Sequence, residues 1–142
     1  MSVTASERPE YLEQCLEGLA AQRPLADEVV LMEDGKLGAD LKNVIHQYRQ
    51  KLNIRSIRLE TQNGLAWALN TGLKECSHDL VARIDSDDIC LPGRFEKQVA
   101  RFAADPHLDV LGTFATDIDE SGNQVMLGEK PVTSYGKGLV LL

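Results

Sequence analysis

From Pro9 onward the apolar residues Leu12, Cys15, Leu16 and Leu19 recur at the spacing that lines one face of an α-helix. Pro9 suits a first helical turn, where its missing N–H costs no intrahelical bond, and the pattern predicts a helix ending near Gln22. Glu28-Val29-Val30-Leu31-Met32 is a short continuous apolar run between Asp27 and Asp34-Gly35, which predicts a buried strand of a parallel sheet with Glu33-Asp34 at its carboxyl end. Leu41, Val44, Ile45, Tyr48 and Leu52 share a second helical face, and Ile54, Ser56, Ile57 and Leu59 follow as the next strand. A third helix is predicted over about Leu65 to Cys76, then a strand over Leu80-Val81-Ala82-Arg83-Ile84 ending at Asp85. Phe95, Val99 and Phe102 mark a fourth helix after Pro92. Past Leu108 the pattern changes, with Val110 to Ala115 and Gln124 to Leu127 reading as two strands around a Ser121-Gly122-Asn123 turn. Strands alternating with helices predict an α/β fold: a right-handed βαβ series with a mostly parallel central sheet flanked by helices, and ligands at the carboxyl edge.

The 142 residues, 43% apolar and 26% charged, suit one globular domain with a genuine core. A net charge of -7 argues against a nucleic-acid groove or a polybasic membrane patch, since either needs clustered Lys and Arg. Cys15, Cys76 and Cys90 are odd in number and form no CxxC pattern, so they read as buried thiols in a reducing cytoplasm. His46, His78 and His107 are scattered and read as surface or satisfied side chains, which leaves any metal to carboxylates. No run approaches the length of a membrane helix. The apolar run Gly138-Leu139-Val140-Leu141-Leu142 has no polar exit and reads as the cut edge of something larger, with unpaired strand edges that favour self-association.

The densest chemical signal is Arg83-Ile84-Asp85-Ser86-Asp87-Asp88-Ile89, three carboxylates in four positions directly after an apolar run. Such crowding is repulsive unless a cation relieves it. Mg²⁺ or Mn²⁺ takes oxygen ligands, commonly one or two carboxylates with phosphate oxygens and water completing the shell. The competing reading is a solvated acidic turn. Asp34-Gly35 reads equally as a plain turn or as a carboxylate placed to accept a hydrogen bond from a base or ribose. Between these segments, Gly64 and the first-turn amides of the third helix could face a ligand, whereas Leu65, Leu69 and Leu73 read as core and Trp67 as a packing residue.

Taken together, these blocks resemble the family 2 glycosyltransferases of the GT-A fold, in particular the bacterial exopolysaccharide enzymes of the amylovoran group. The resemblance is carried by Pro9-Glu10-Tyr11-Leu12-Glu13-Gln14-Cys15-Leu16, Asp27 to Leu31 with Asp34-Gly35, Gly64-Leu65 with Ala68-Leu69-Asn70 and Gly72-Leu73, and Val81 to Asp88 through Leu91-Pro92 to Arg94-Phe95-Glu96-Lys97-Gln98. It covers about residues 1–112 in family order, with 113–142 a weakly matched tail. It implies a single, truncated GT-A nucleotide-sugar-binding domain, Rossmann-like in its sheet. Asp85-Ser86-Asp87-Asp88 takes the place of the DXD motif, with Asp87 and Asp88 at Mn²⁺ or Mg²⁺ and Asp85 nearer the ribose. Asp34 would contact the base, and Ser2, Val3 and Thr4 would pack on it. Thr4 stands where the family often has an aromatic, and Gln62 and Ala66 stand where the subgroup often has Asn and Gly.

The resemblance further implies inverting transfer of a sugar from a nucleoside-diphosphate sugar, UDP-linked, to a saccharide or lipid-linked saccharide, at the inner face of the plasma membrane in a full-length protein. The catalytic base is expected beyond Leu142. Two rival readings remain: a non-catalytic nucleotide-sugar-binding module, and a haloacid-dehalogenase-like phosphatase using Asp85-Ser86-Asp87. The second has Ile89 where its motif usually carries Thr or Val.

Overall fold

The computed structural model describes residues 1–119 and 121–125. In chain order the elements are β1 (Ser2–Thr4), α1 (Pro9–Ala20), β2 (Val29–Asp34), α2 (Ala39–Tyr48), β3 (Ile54–Leu59), α3 (Leu65–Lys74) and α4 (Arg94–Ala104). The three strands form one parallel sheet in the order β1-β2-β3, with Thr4 opposite Asp34 and Asp34 opposite Leu59. All three carboxyl ends therefore lie on one edge.

β2 is central and buried along its whole length, and cover on both faces of the sheet explains why Val29–Met32 is continuously apolar. Val29 and Leu31 join Val3, Ile54, the α1 residues Leu12, Cys15, Leu16 and Leu19, the α2 residues Leu41, Val44, Ile45 and Tyr48, and Phe95 of α4 in the main core. Val30 and Met32 point the other way, to Leu59 and Ala68 of α3. Burial of each large aliphatic side chain contributes about 1.5–3 kcal/mol, so the helical faces read from spacing are also the faces that hold the layers together.

Several expectations are corrected. Leu80–Ile84 is not a strand; Ile84 enters the main core, but Leu80 is exposed and the run stays outside the sheet. Val110–Ala115 is likewise not a strand. The expected hairpin is reduced to one antiparallel bridge, Ile118 to Gln124, around a turn in which the Asp119 carboxylate accepts the Ser121 and Asn123 amides. Its continuation to Leu127, like Gly138–Leu142, lies outside the described residues. Leu52 is buried but follows α2 in a turn rather than extending it.

The core of α3 also differs from the leucine pattern. Leu65 is 51% exposed and Trp67 50%, while Ala68 and Gly72 are buried. A Cβ on Gly72 would sit 2.9 Å from Met32 Cγ, so the helix lies close to β2 on its small residues and the leucines flank the contact. Cys15 and Cys90 are buried, Cys76 is half-buried, all three are unpaired thiols, and the histidines are exposed. Among the described residues, no helix is long and apolar enough to cross a membrane.

Candidate functional site

Two acidic features meet the carboxyl edge by different routes. Asp34 closes β2, is 1% exposed, and accepts the backbone N–H of Asn63 at Oδ1 (2.8 Å) and of Gly64 at Oδ2 (3.0 Å). Of the two alternatives read for Asp34-Gly35, the structure contains the turn. Gly35 turns the chain at φ +94°, and the buried carboxylate meets donors of the β3–α3 loop. Gly64, at φ +90° where a side chain would be strained, begins α3 with its amide committed to Asp34. The free first-turn amide expected of Gly64 is thus an internal tie.

The acidic segment arrives from the extended run beside the core. Arg83 grips both carboxylate oxygens of Asp85, and Asp85 O receives the Asp88 amide at 3.2 Å in a tight turn. Ser86 is buried, its hydroxyl donating to Glu7 in the β1–α1 loop, which draws the turn to the carboxyl end of β1. Asp87 and Asp88 are exposed. The Asp88 carboxyl is pushed above its ordinary range, first by lost hydration and then by the charges of Asp85 and Asp87, with Arg94 and Arg83 opposing. The turn therefore concentrates negative charge that its arginines only partly relieve.

Among the described residues, no three His, Cys, Asp or Glu side chains converge as a closed metal cage. The donor set fits a different arrangement: Asp87 and Asp88 as one or two carboxylate ligands, with the remaining positions left to phosphate and water, as Mg²⁺ and Mn²⁺ commonly bind. Asp85, paired to Arg83, is removed from that set.

Of the β1 residues expected at a base, Val3 is a correction. Its side chain is wholly enclosed in the main core, because strand alternation turns it away from its neighbours. Ser2 is also buried, its hydroxyl without a partner among the described residues, and Thr4 is half-buried with its hydroxyl 2.8 Å from that of Ser6. The structure thus places the strand ends Thr4 and Asp34 at one edge with Gly64 and Asp85–Asp88 in the adjoining loops, while Ser2 and Val3 belong to the sheet behind them.

Sequence reading missed Glu7, whose contact with Ser86 is fixed only by tertiary structure, and Gln22, whose amide is fully buried against the segment after the acidic turn. Arg83 left a usable signal. In extended chain a residue and its second neighbour share a face, so Arg83 was in register to neutralise Asp85. A cleft of about 550 Å³ lies elsewhere, between the amino-terminal end of β2 and α4, lined by Val29, Leu80, Phe95 and Phe102 among others. None of Asp85–Asp88 lines it.

Comparison with known proteins agrees with this architecture. The description "Glycosyl transferase family 2" matches residues 3–138. Over 124 residues the chain is 44% identical to the amylovoran biosynthesis glycosyltransferase AmsE of Erwinia amylovora, covering 87% of this chain and 47% of that one. Over 96 residues it is 42% identical to an Escherichia coli UDP-Gal:alpha-D-GlcNAc-diphosphoundecaprenol beta-1,3-galactosyltransferase, covering 68% of this chain and 35% of that one. The structure of S. aureus TarS superposes with a TM-score of 0.64 at 30% identity, over 78% of this chain and 20% of TarS, and shares the GT-A type fold. The chain spans about half the length of AmsE, and it belongs to glycosyl transferase family 2.

Proposed function

We propose that this chain is the donor-binding portion of an inverting glycosyltransferase of surface-polysaccharide synthesis, taking a nucleoside-diphosphate sugar, UDP-linked, at the carboxyl edge of the sheet. The observation that carries the reading is the acidic turn. Asp87 and Asp88 stand exposed with charge only partly relieved, on a turn tied to the β1–α1 loop by Ser86 and Glu7. The names of the relatives, one a UDP-galactose enzyme and one an amylovoran enzyme, support the donor and pathway class.

In this reading Asp87 and Asp88 hold Mn²⁺ or Mg²⁺, which when bound supplies charge neutralisation to a departing nucleoside diphosphate. Asp85, held rigid by Arg83, orients toward the ribose. Thr4 and the loop tied by Asp34 border the base, so that Asp34 acts on the base through the shape of residues 63–64 as well as by its remaining lone pairs. A saccharide or lipid-linked saccharide is the acceptor. Asp85 in the grip of Arg83 is poorly suited to be a phosphatase nucleophile.

Titration calorimetry with UDP tests the reading. Binding by the chain should strengthen when Mn²⁺ is present, and Asp87→Asn with Asp88→Asn should abolish that gain. Metal-independent UDP binding in the unaltered chain would overturn the metal assignment; an absence of UDP binding under both conditions would overturn the donor site.

A further inference from the structure

Gln22 follows the last turn of α1 and is completely buried, yet it is polar and lies far in sequence from Asp85–Asp88. Its Nε2 lies within hydrogen-bond distance of three carbonyl oxygens: Gly18 at 3.1 Å, Cys90 at 3.2 Å and Leu91 at 3.0 Å. Its Oε1 accepts the Phe95 backbone N–H at 3.2 Å. A primary amide has two hydrogens and two acceptor lone pairs, so both hydrogens are engaged, shared among three carbonyls, and one lone pair is taken by Phe95.

The partners matter more than their number. Cys90 and Leu91 follow Asp85–Asp88 after the single residue Ile89, in a stretch with no strand or helix of its own. Phe95 N–H is a first-turn donor of α4, which has no intrahelical acceptor, and the N-cap residue Gly93 supplies no side-chain cap. Gln22 therefore caps α4 from another helix while clasping the backbone that leads into it. Gly18, one turn earlier on the same face of α1, makes room for that backbone: a Cβ there would lie 3.1 Å from both Cys90 N and Cys90 O. Nearer the acidic turn, α1 makes one more contact, from Cys15 Sγ to Asp85 O at 3.3 Å. α1 is thus a cradle for the acidic segment, with Gln22 at its downstream end.

We infer that Gln22 is a positioning residue for the acidic turn, holding Asp87 and Asp88 in the arrangement that a divalent cation and a nucleoside diphosphate require. The inference rests on the donor-site reading above. Gln22 acts through backbone, by fixing where the chain leaves the turn, and touches no ligand itself.

The test pairs Gln22→Met, which keeps length and removes all four hydrogen bonds, with Gly18→Ala, which leaves Gln22 in place, improves the helix propensity of α1 and pushes on Cys90. Amide hydrogen exchange is followed in the ligand-free chain at residues 85–91, at Phe95 and across β2. UDP affinity is measured with and without Mn²⁺. The expected result is that exchange at 85–91 rises about tenfold or more in both variants while β2 keeps its protection. Exchange at Phe95 rises in Gln22→Met, and the Mn²⁺-dependent gain in UDP affinity shrinks in both variants. A rise shared equally by β2 marks general loosening and overturns the inference, as does unchanged exchange at 85–91. If Gln22→Met does not fold, Gly18→Ala carries the same comparison. Absence of UDP binding to the unaltered chain, with or without Mn²⁺, would sink the donor-site reading instead, and the exchange measurements would still decide whether Gln22 holds the turn.

Discussion

The carboxylate of Asp34 and the amide of Gly64 meet at 3.0 Å, joining the end of β2 to the start of α3 in a place that water barely reaches. With the second bond to Asn63, one buried side chain sets the geometry of the loop between β3 and α3. Hydrogen bonds to charged groups contribute about 1.5–3 kcal/mol each, and orphaned amides cost further. Asp34→Ala is therefore expected to lower stability by about 2–4 kcal/mol in urea denaturation with an unchanged slope. Asp34→Asn, which can accept at only one atom, should fall between. A loss below about 0.5 kcal/mol, the range of ordinary surface substitutions, would show that the loop finds other partners.

Gly72 tests the close approach of α3. Alanine there gains about 1 kcal/mol of helix propensity but drives a Cβ into Met32, a flexible neighbour that can partly yield. The two effects should nearly cancel in Gly72→Ala. Gly72→Val adds further atoms with no propensity gain to match, and a loss of about 2 kcal/mol or more is expected in thermal or chemical unfolding. Equal stability of the two variants would mean that the helix retreats from β2 at little cost.

Cys15 offers a pH test. Burial, with smaller contributions from Cys90 and Asp88, pushes its thiol up to about 12 from 9.0. The folded chain holds this proton where the unfolded chain has lost it. The contribution is thus intact below pH 9 and is lost as pH rises from there toward 12. Cys15→Ala should flatten the alkaline decline in stability, whatever it costs at neutral pH. In the native chain at pH 8, iodoacetamide should leave Cys15 unmodified while labelling it readily in urea. Rapid native labelling at this position would contradict the burial.

Arg83 is expected to restrain the acidic turn by occupying Asp85. Removing the guanidinium in Arg83→Met frees a third carboxylate beside Asp87 and Asp88, and affinity for Mn²⁺ alone should rise, since ligand charge tunes such sites. Unchanged or weakened Mn²⁺ binding would show that Arg83 serves chiefly to shape the turn.

The repeated apolar faces were legible because periodicity is a local property: Leu12 to Leu19 predicted α1, and the run Val29 to Met32 predicted a strand covered on both sides. The carboxyl-edge location of Asp34 followed from the same alternation, whereas that of Asp85–Asp88 was read from a strand that does not form. Local pattern failed where a partner decides the outcome. Leu80–Ile84 has the composition of a strand but no ladder, and Leu65 has helical spacing but lies outside the contact that Gly72 brings against Met32. Gln22 was invisible for the same reason, since nothing near it in sequence calls for a buried amide.

The distances along the chain between α1 and the segment it cradles impose an order of assembly. Gln22 meets Cys90, Leu91 and Phe95 across 68, 69 and 73 residues, and Glu7 meets Ser86 across 79. By contrast β1, β2 and β3 are complete by Leu59. A chain emerging from the ribosome amino terminus first can therefore zip its sheet from near neighbours, with Gln22 still hydrated, before the acidic turn exists. Closing so long a loop is worthwhile only once α4 arrives to receive the cap. The charge-dense turn is thus the last of these parts to take shape, set on a platform already built.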